Sequence, residues 1–363
     1  MKAAIVSDLH LGTAVPAADV AREGEPMERL VEAVSAADTV VLLGDVLELR
    51  EGPVGAVLEA VRPLFERLGA AAAGKRVVLV PGNHDHELAE PFLARARLES
   101  GRLEPAGEWP IAPGDGPAGR LAEWMPDVEL VLAYPGIWLR DDVYAIHGHY
   151  LDVHLTLPRL ESIAVSAMGR LTGRGRAIRS PEDYEAVLGP LYGFLYRFAQ
   201  TTDSESLRSK GGISRRVWSN LNGGAGSRLG RFALGRVTIP AAVALLNVAG
   251  LGPFHSKVTG ETLRQSGLGA MGTVVDGLGV DAAHVVFGHT HRVGPLSRDD
   301  PAEWRTPGGA RLCNSVSWLM ETVLIGGGGP SNPYWPGTVV LIPEEGDPEV
   351  VNVLRETRLP AGG

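Results

Sequence analysis

Five short polar clusters in this chain carry side chains that could do chemistry, and each follows a run of apolar β-formers. They are Asp8-Leu9-His10 behind AAIVS, Gly44-Asp45 with Glu48 behind TVVLL, and Gly82-Asn83-His84-Asp85 behind RVVLV. His147-Gly148-His149 follows VYAI, and Gly288-His289-Thr290-His291 follows HVVF. Polar side chains at the mouth of buried strands need hydrogen-bond partners or a metal, because desolvating them otherwise is costly. Carboxylate, amide and imidazole donors without thiolate suit divalent or trivalent ions: manganese as first choice, then iron, zinc, cobalt or nickel. Donors arriving from five segments are too many for one small cation, whereas two ions sharing one carboxylate would use them all. Each cluster alone is ordinary, since Asn83 and Asp85 are what a tight turn uses. Their recurrence behind five strands is the argument for a joint site.

The elements that must position these residues are legible in outline. Strands are expected over Ala3–Val6, Thr39–Leu43 and Val77–Val80, and helices around Met27–Ser35 and Val54–Leu68. VELVLAYPGIWLRDDVYAIHGH reads as a hairpin around Asp141-Asp142, so the sheet should be mixed. RLCNSVSWL, GTVVLIP and EVVNVL read as further strands. In an α/β fold the strand ends along one sheet edge converge, and the site is expected there. In an extended segment residues i and i+2 point the same way, so Asp8 with His10, and His289 with His291, are expected to grip one ion. Gly44, Gly82, Gly148 and Gly288 are expected to permit the sharp turns. Gly326–Pro330 (GGGGP) lacks a following Gly-Lys-Ser/Thr and is expected to be a flexible connection.

At 363 residues, with 44% hydrophobic and 21% charged residues, the chain can bury a real core and is not disordered as a whole. The single cysteine, Cys313, excludes an intramolecular disulfide and a thiolate cage, and accords with a reducing compartment. MKAAIVSDLHLG leads straight into a strand and leaves no room for a signal peptide, so a cytoplasmic protein is expected. A formal charge of −9 argues against bulk nucleic-acid binding.

Residues 151–270 differ in character and read as a mainly helical insert between two pieces of core, 1–150 and 271–363. Over 151–280 there are fifteen Lys/Arg against nine Asp/Glu. Arg208, Lys210, Arg215, Arg216, Arg228, Arg231 and Arg236 meet no acid between Glu205 and Glu261. This is either a solvated basic face or a clamp for a phosphate-rich or acidic-lipid substrate. Val237–Phe254 then carries no charge at all. Pro240, Asn247, Gly250, Gly252 and Pro253 argue against a membrane span, so a buried lid helix is expected, with peripheral contact at the inner membrane surface as the second reading.

The ordered motifs Asp-x-His, Gly-Asp-x-x-Glu, Gly-Asn-His-Asp, His-Gly-His and Gly-His-Thr-His resemble the calcineurin-like metallophosphoesterase superfamily, over residues 8 to 291. GDVLE, GHTHR and the insert's position look like the UDP-2,3-diacylglucosamine pyrophosphatase branch, although that branch has an arginine where His84 stands. The resemblance implies a four-layer αββα sandwich of two mixed sheets. It implies that Asp8, His10, Asp45 and His291 hold one metal, and that Asp45, as bridge, holds the second with Asn83, His147 and His289. His84 would serve the leaving oxygen, and Asp85 would orient His84. His149 is the alternative to His147, and Glu48, where the family usually has Asp, is expected to bond a ligand histidine or cap a helix. His86, His154, His255 and His284 are expected in surface or structural roles. The implied reaction is hydrolysis of a phosphomonoester, phosphodiester or pyrophosphate by a hydroxide bridging two ions. The substrate would be a phosphorylated small molecule or a lipid-like one with its apolar part under the lid. A nuclease is the alternative, disfavoured by the acidic chain, and a non-catalytic scaffold is a remoter one because no ligand is missing.

Overall fold

The computed structural model describes residues 2–13, 18–155, 178–201, 260–315, 317–326, 328–357 and 359. Ten strands, β1 (Ala3–Val6), β2 (Thr39–Leu43), β3 (Arg76–Val80), β4 (Ala106–Pro110), β5 (Glu129–Arg140), β6 (Val143–Ile146), β7 (His284–Phe287), β8 (Arg311–Asn314), β9 (Thr338–Ile342) and β10 (Glu349–Asn352), join in one curled mixed sheet. Their order is β10-β9-β1-β2-β3-β5-β6-β7-β8, with β4 added to β5. β1, β2, β3 and the first part of β5 run parallel, as do β6, β7 and β8, while β9, β10 and β4 pair antiparallel. The two-residue turn at Asp141-Asp142 reverses β5 into β6, and Arg140 clamps it through Asp142 at 2.7 and 2.9 Å. β4, with Gly107 and Pro110 in it, carries little strand signal and sits off the main path.

β5 divides the sheet into two facing halves. Its first part pairs with β3 and β4, and its second part, from Gly136 on, pairs with β6. Alternation along the strands follows from the two-residue period. Ala4 and Val6 of β1 join the core under the helices, whereas Ala3 and Ile5 join a second core with Val41, Val78, Ala133, Ile137, Ala145, Val286 and Val340. That second core holds residues of both half-sheets, as a sandwich of two β layers requires.

Helices cover the outer faces. α1 (Gly24–Ser35) buries Leu30, Val31 and Val34, and α2 (Val54–Ala71) buries Val57, Val61, Leu64, Phe65 and Leu68, the helical spacing of one apolar face. Burying each such side chain contributes about 1.5–3 kcal/mol. α3 (Glu90–Glu99) and α4 (Gly116–Trp124) complete this part. The span expected to be an insert contributes α5 (Pro181–Thr201) and the first part of α6 (Gly260–Gly277), and the boundary expected at 270/271 falls inside α6. α5 is fixed to the core by a buried carboxylate. Glu185 accepts hydrogen bonds from Tyr134 (2.6 Å) and Tyr150 (2.8 Å) and lies 2.9 Å from His86 Nε2, while Tyr184 stacks on Tyr150. His86 is thus structural, as expected. His154 meets the Tyr184 hydroxyl at 2.7 Å, and His284 lies 3.4 Å from Asp347. The basic run 208–236, the apolar run 237–254 and His255 lie outside the described residues. Among the described residues no helix is long and apolar enough to cross a membrane.

Candidate metal centre

Strand register explains where the clusters meet. Leu79 of β3 pairs with Leu132, and Ile146 of β6 pairs with Gly136. The chains leaving β3 and β6 therefore reach the same middle stretch of β5 from its two sides. A Cβ on Gly82 would sit 2.6 Å from the His147 ring. The site lies at this fold between half-sheets rather than along one edge of a single sheet. β1 and β2 remain joined past their ends, with Asp8 N–H donating to Gly44 O (2.9 Å) and His10 N–H to Asp45 O (2.8 Å). The last cluster is tied in by Gly288 N–H to His147 O (2.9 Å) and by His289 N–H to the Asp8 carboxylate (3.1 Å).

The backbone there is not extended. Asp8, His10, Asp45, His289 and His291 have φ of 53°, 46°, 50°, 67° and 56°, and they are the only described residues other than glycine in the left-handed region. This corrects the expectation that i and i+2 share a face of an extended segment. Each such residue costs about 1–2 kcal/mol in backbone strain, and Asp and His tolerate the conformation better than most. The glycines split into two roles. Gly44 (φ 78°) and Gly148 (φ 108°) do turn as expected. Gly82 and Gly288 are needed for space, since a Cβ would lie 2.3 Å from Asp45 Oδ1 and 2.4 Å from Asp8 Oδ2 respectively.

The structure brings all seven expected ligands together. Asp8, His10 and His291 offer ligand atoms within 4.8 Å of one another, and so do Asp45, His147 and His289. Asp45 Oδ2 stands between the groups, 3.2 Å from His147 Nε2 and 3.8 Å from His10 Nε2. Four imidazoles are fixed through their outer nitrogens. His10 Nδ1 meets Glu48 (3.0 Å), His147 Nδ1 the Leu43 carbonyl (3.0 Å), His289 Nε2 Asp152 (3.0 Å) and His291 Nδ1 Glu321 (3.3 Å). Such outer acceptors fix tautomer and orientation of metal-binding histidines.

The inner atoms then test whether cations fit. With Nδ1 donating outward, His10 Nε2 and His291 Nε2 face each other at 3.2 Å as two lone pairs. His147 Nε2 faces the Asp45 carboxylate in the same way. Asn83 has two placements: nitrogen inward, it donates to Asp45 Oδ2 (3.2 Å) and His289 Nδ1 (3.1 Å); oxygen inward, three acceptors converge. Convergent acceptors are satisfied by protons or by cations. Protons answer in the ion-free protein: burial opposes it, but Asp45 and Asp8 raise His147 to about 9, and Glu321 and Asp8 raise His291. Burial likewise opposes, but His147 and His291 hold Asp8 at about 2, and Asp45 is also held low. The donor set fits two cations.

Four further placements bear on the expected site residues. His149 is buried behind His147, with Nε2 3.1 Å from the Tyr134 hydroxyl, so His147 and not His149 belongs to the donor cluster. His84 is 28% exposed at the rim, and its Nδ1 lies 2.7 Å from Glu48 Oε2. Glu48 thus meets both His10 and His84, in a third group whose ligand atoms lie within 4.8 Å of one another, and it stands where Asp85 was expected to orient His84. Asp85 instead accepts backbone N–H groups from Gly82 (2.6 Å), Asp45 (3.2 Å), Val46 (2.8 Å) and Leu47 (3.2 Å), binding one loop to the next. Sequence reasoning missed Asp152 and Glu321. Their neighbourhoods, HYLDV and SWLMETV, carry no local signal of the histidines they reach.

The calcineurin-like phosphoesterase family model matches residues 1–213, more than half of the chain. The chain belongs to the calcineurin-like phosphoesterase family. Membership makes it a metal-dependent phosphoester hydrolase. The matched span ends before His289 and His291, which the fold nevertheless delivers to the same centre. No curated protein matches the chain.

Proposed function

We propose that this phosphoesterase uses two divalent ions, manganese first among the candidates, to hydrolyse a phosphomonoester, phosphodiester or pyrophosphate. One ion would be held by Asp8, His10, Asp45 and His291, and the other by Asp45, Asn83, His147 and His289. Such ions supply charge neutralisation at phosphorus and a water acidic enough to attack at neutral pH. The observation that carries the reading is the pair of facing imidazole nitrogens, His10 Nε2 and His291 Nε2, each locked by a carboxylate behind it.

The protein's own groups do the rest. Glu48 holds His84 by Nδ1 and favours its protonated form: burial opposes protonation, but Glu48 and Asp45 raise the pKa. With Nδ1 occupied, Nε2 is left to give a proton to the leaving oxygen, a contribution of about 10²–10⁴ in rate. Asp85 keeps the two loops in register. The charge-free run Val237–Phe254 supports an apolar portion in the substrate. The test is Asp45→Asn, which neutralises the one carboxylate that both ions would share. Hydrolysis of an aryl phosphate ester should vanish, and intact turnover at matched metal content would refute the proposal.

A further inference from the structure

Glu185 is a carboxylate that the chemistry at phosphorus does not use, yet it is buried where three segments of the core meet. It stands on α5 at 3% exposure, with Val187 and Leu188 of the same helix buried beside it. Apolar burial is non-directional, and alone it would hold α5 against the core without fixing the helix's rotation. A buried carboxylate is costly unless donors meet it, so those donors dictate where it sits. Glu185 has three of them. Oε1 accepts from the hydroxyls of Tyr134 (2.6 Å) and Tyr150 (2.8 Å), and Oε2 lies 2.9 Å from His86 Nε2. A buried polar network satisfied in this way rigidifies the parts it joins.

Each of the three partners leads to a donor of the same ion, the one assigned to Asp45, Asn83, His147 and His289. His86 stands at the end of the loop that carries Asn83. Tyr150 belongs to the short helical turn His149–Val153, as does Asp152, which meets His289 Nε2 at 3.0 Å. Tyr184 of α5 stacks on Tyr150, with ring centres 4.3 Å apart, and holds that turn a second time. The Tyr134 hydroxyl gives its proton to Glu185 and so accepts from His149 Nε2 (3.1 Å), and the His149 ring packs 5.6 Å from that of His147. Tyr192, further along α5, packs against both His86 (5.2 Å) and His149 (5.7 Å). The other ion's histidines are backed from elsewhere, His10 by Glu48 and His291 by Glu321.

We propose that Glu185 is a positioning residue that couples α5 to this second ion. Docking of the helix sets Asn83, His147 and His289, and filling of the site fastens the helix in return. The coupling rests on the two-ion phosphoesterase reading. Linkage makes it reciprocal: the factor by which docked α5 tightens the ion equals the factor by which the ion tightens α5, typically about 5- to 150-fold between linked sites.

The test uses the full-length protein with manganese(II) as probe. Calorimetric titration reads the affinity of each ion, and hydrogen exchange reads the protection of α5 beside that of α1. In the unaltered protein, filling both sites should raise α5 protection by about 5- to 150-fold and leave α1 behind. His147→Ala, left with the first ion alone, should show no such rise. Glu185→Gln keeps an acceptor for both tyrosines but turns an NH₂ on His86 Nε2, and Tyr150→Phe removes the donor on the other branch. Both should weaken the second ion by about 5- to 50-fold and the first by less than about 2-fold, and neither loss can exceed the gain in α5 protection. Two ions bound with α5 protection unchanged overturns the coupling and leaves the two-ion reading standing. Equal weakening of both ions also overturns it, because Glu185 would then serve general stability alone. A protein that takes up no second ion refutes the two-ion reading and the coupling with it. The exchange comparison needs no change at Glu185, so it decides even where Glu185→Gln fails to fold.

Discussion

Glu48→Gln should strike metal binding and proton donation together, because one carboxylate serves both. Glu48 Oε2 meets His10 Nδ1 at 3.0 Å and His84 Nδ1 at 2.7 Å, while Oε1 accepts the Arg50 backbone N–H at 3.1 Å. All three partners are donors. Glutamine has one acceptor oxygen: placed toward the imidazoles it turns its NH₂ on the Arg50 N–H, and placed the other way it turns it on both histidines. At least one charge-assisted bond is lost, about 1.5–3 kcal/mol. Affinity for the ion at His10 should fall about 10–100-fold, the usual effect of removing a group behind a ligand. A change in kcat of about 10²-fold should remain at saturating metal, because His84 loses its orienting partner. The pH profile separates the two effects. Glu48 keeps the His84 pKa raised despite burial, so an activity that needs protonated His84 persists below that raised pKa and is lost as pH climbs through it. In the variant the alkaline limb should move to lower pH. Metal titration and rate against pH, run on both proteins, check this. Unchanged metal affinity with an unmoved alkaline limb would refute the assignment of Glu48 to both histidines.

Other outcomes follow from the same geometry. His147→Ala should lose one metal equivalent by elemental analysis, whereas His149→Phe should keep both, since His149 packs against the His147 ring and meets Tyr134 but offers no ligand atom to the donor cluster. Metal uptake should tighten between pH 7 and 9 and then level off, because the ion displaces the proton that His147, with its pKa raised to about 9, holds in the ion-free protein. Stability from that proton is full below the ordinary histidine pKa and is lost as pH rises through about 9, so ion-free melting temperature should decline over the same window. Gly288→Ala should impair metal binding more than it lowers helix content, since its Cβ would meet Asp8 Oδ2 at 2.4 Å. Circular dichroism beside metal titration distinguishes the two.

The residues that converge were readable because polar side chains behind apolar strand runs have few structural excuses, and five such places in order leave fewer. The roles of their neighbours were not. Asp85 looks like an orienting carboxylate because it adjoins His84, yet its oxygens are taken by four backbone N–H groups, which only the folded loops bring together. Glu48 reaches His84 from a different loop. Left-handed backbone at Asp8 and His10 is invisible in a string that reads as a continued strand. The strands came through except β4, whose glycine and proline mask an edge strand. The continuity of β5 through both half-sheets was hidden because local pattern cannot say which partner each end of a long strand will take.

That continuity has a consequence for how the protein comes into being. Asp8, His10, Asp45, Asn83 and His147 all precede residue 155, while His289 and His291 arrive only with β7, after the whole insert has been made. An emerging chain would hold an incomplete claw for most of its synthesis, and neither ion would have its full set of donors until β7 aligned beside β6. Metal capture would then be a late event, and the proposed ions would act as a clasp that fastens the second half of the molecule onto the first.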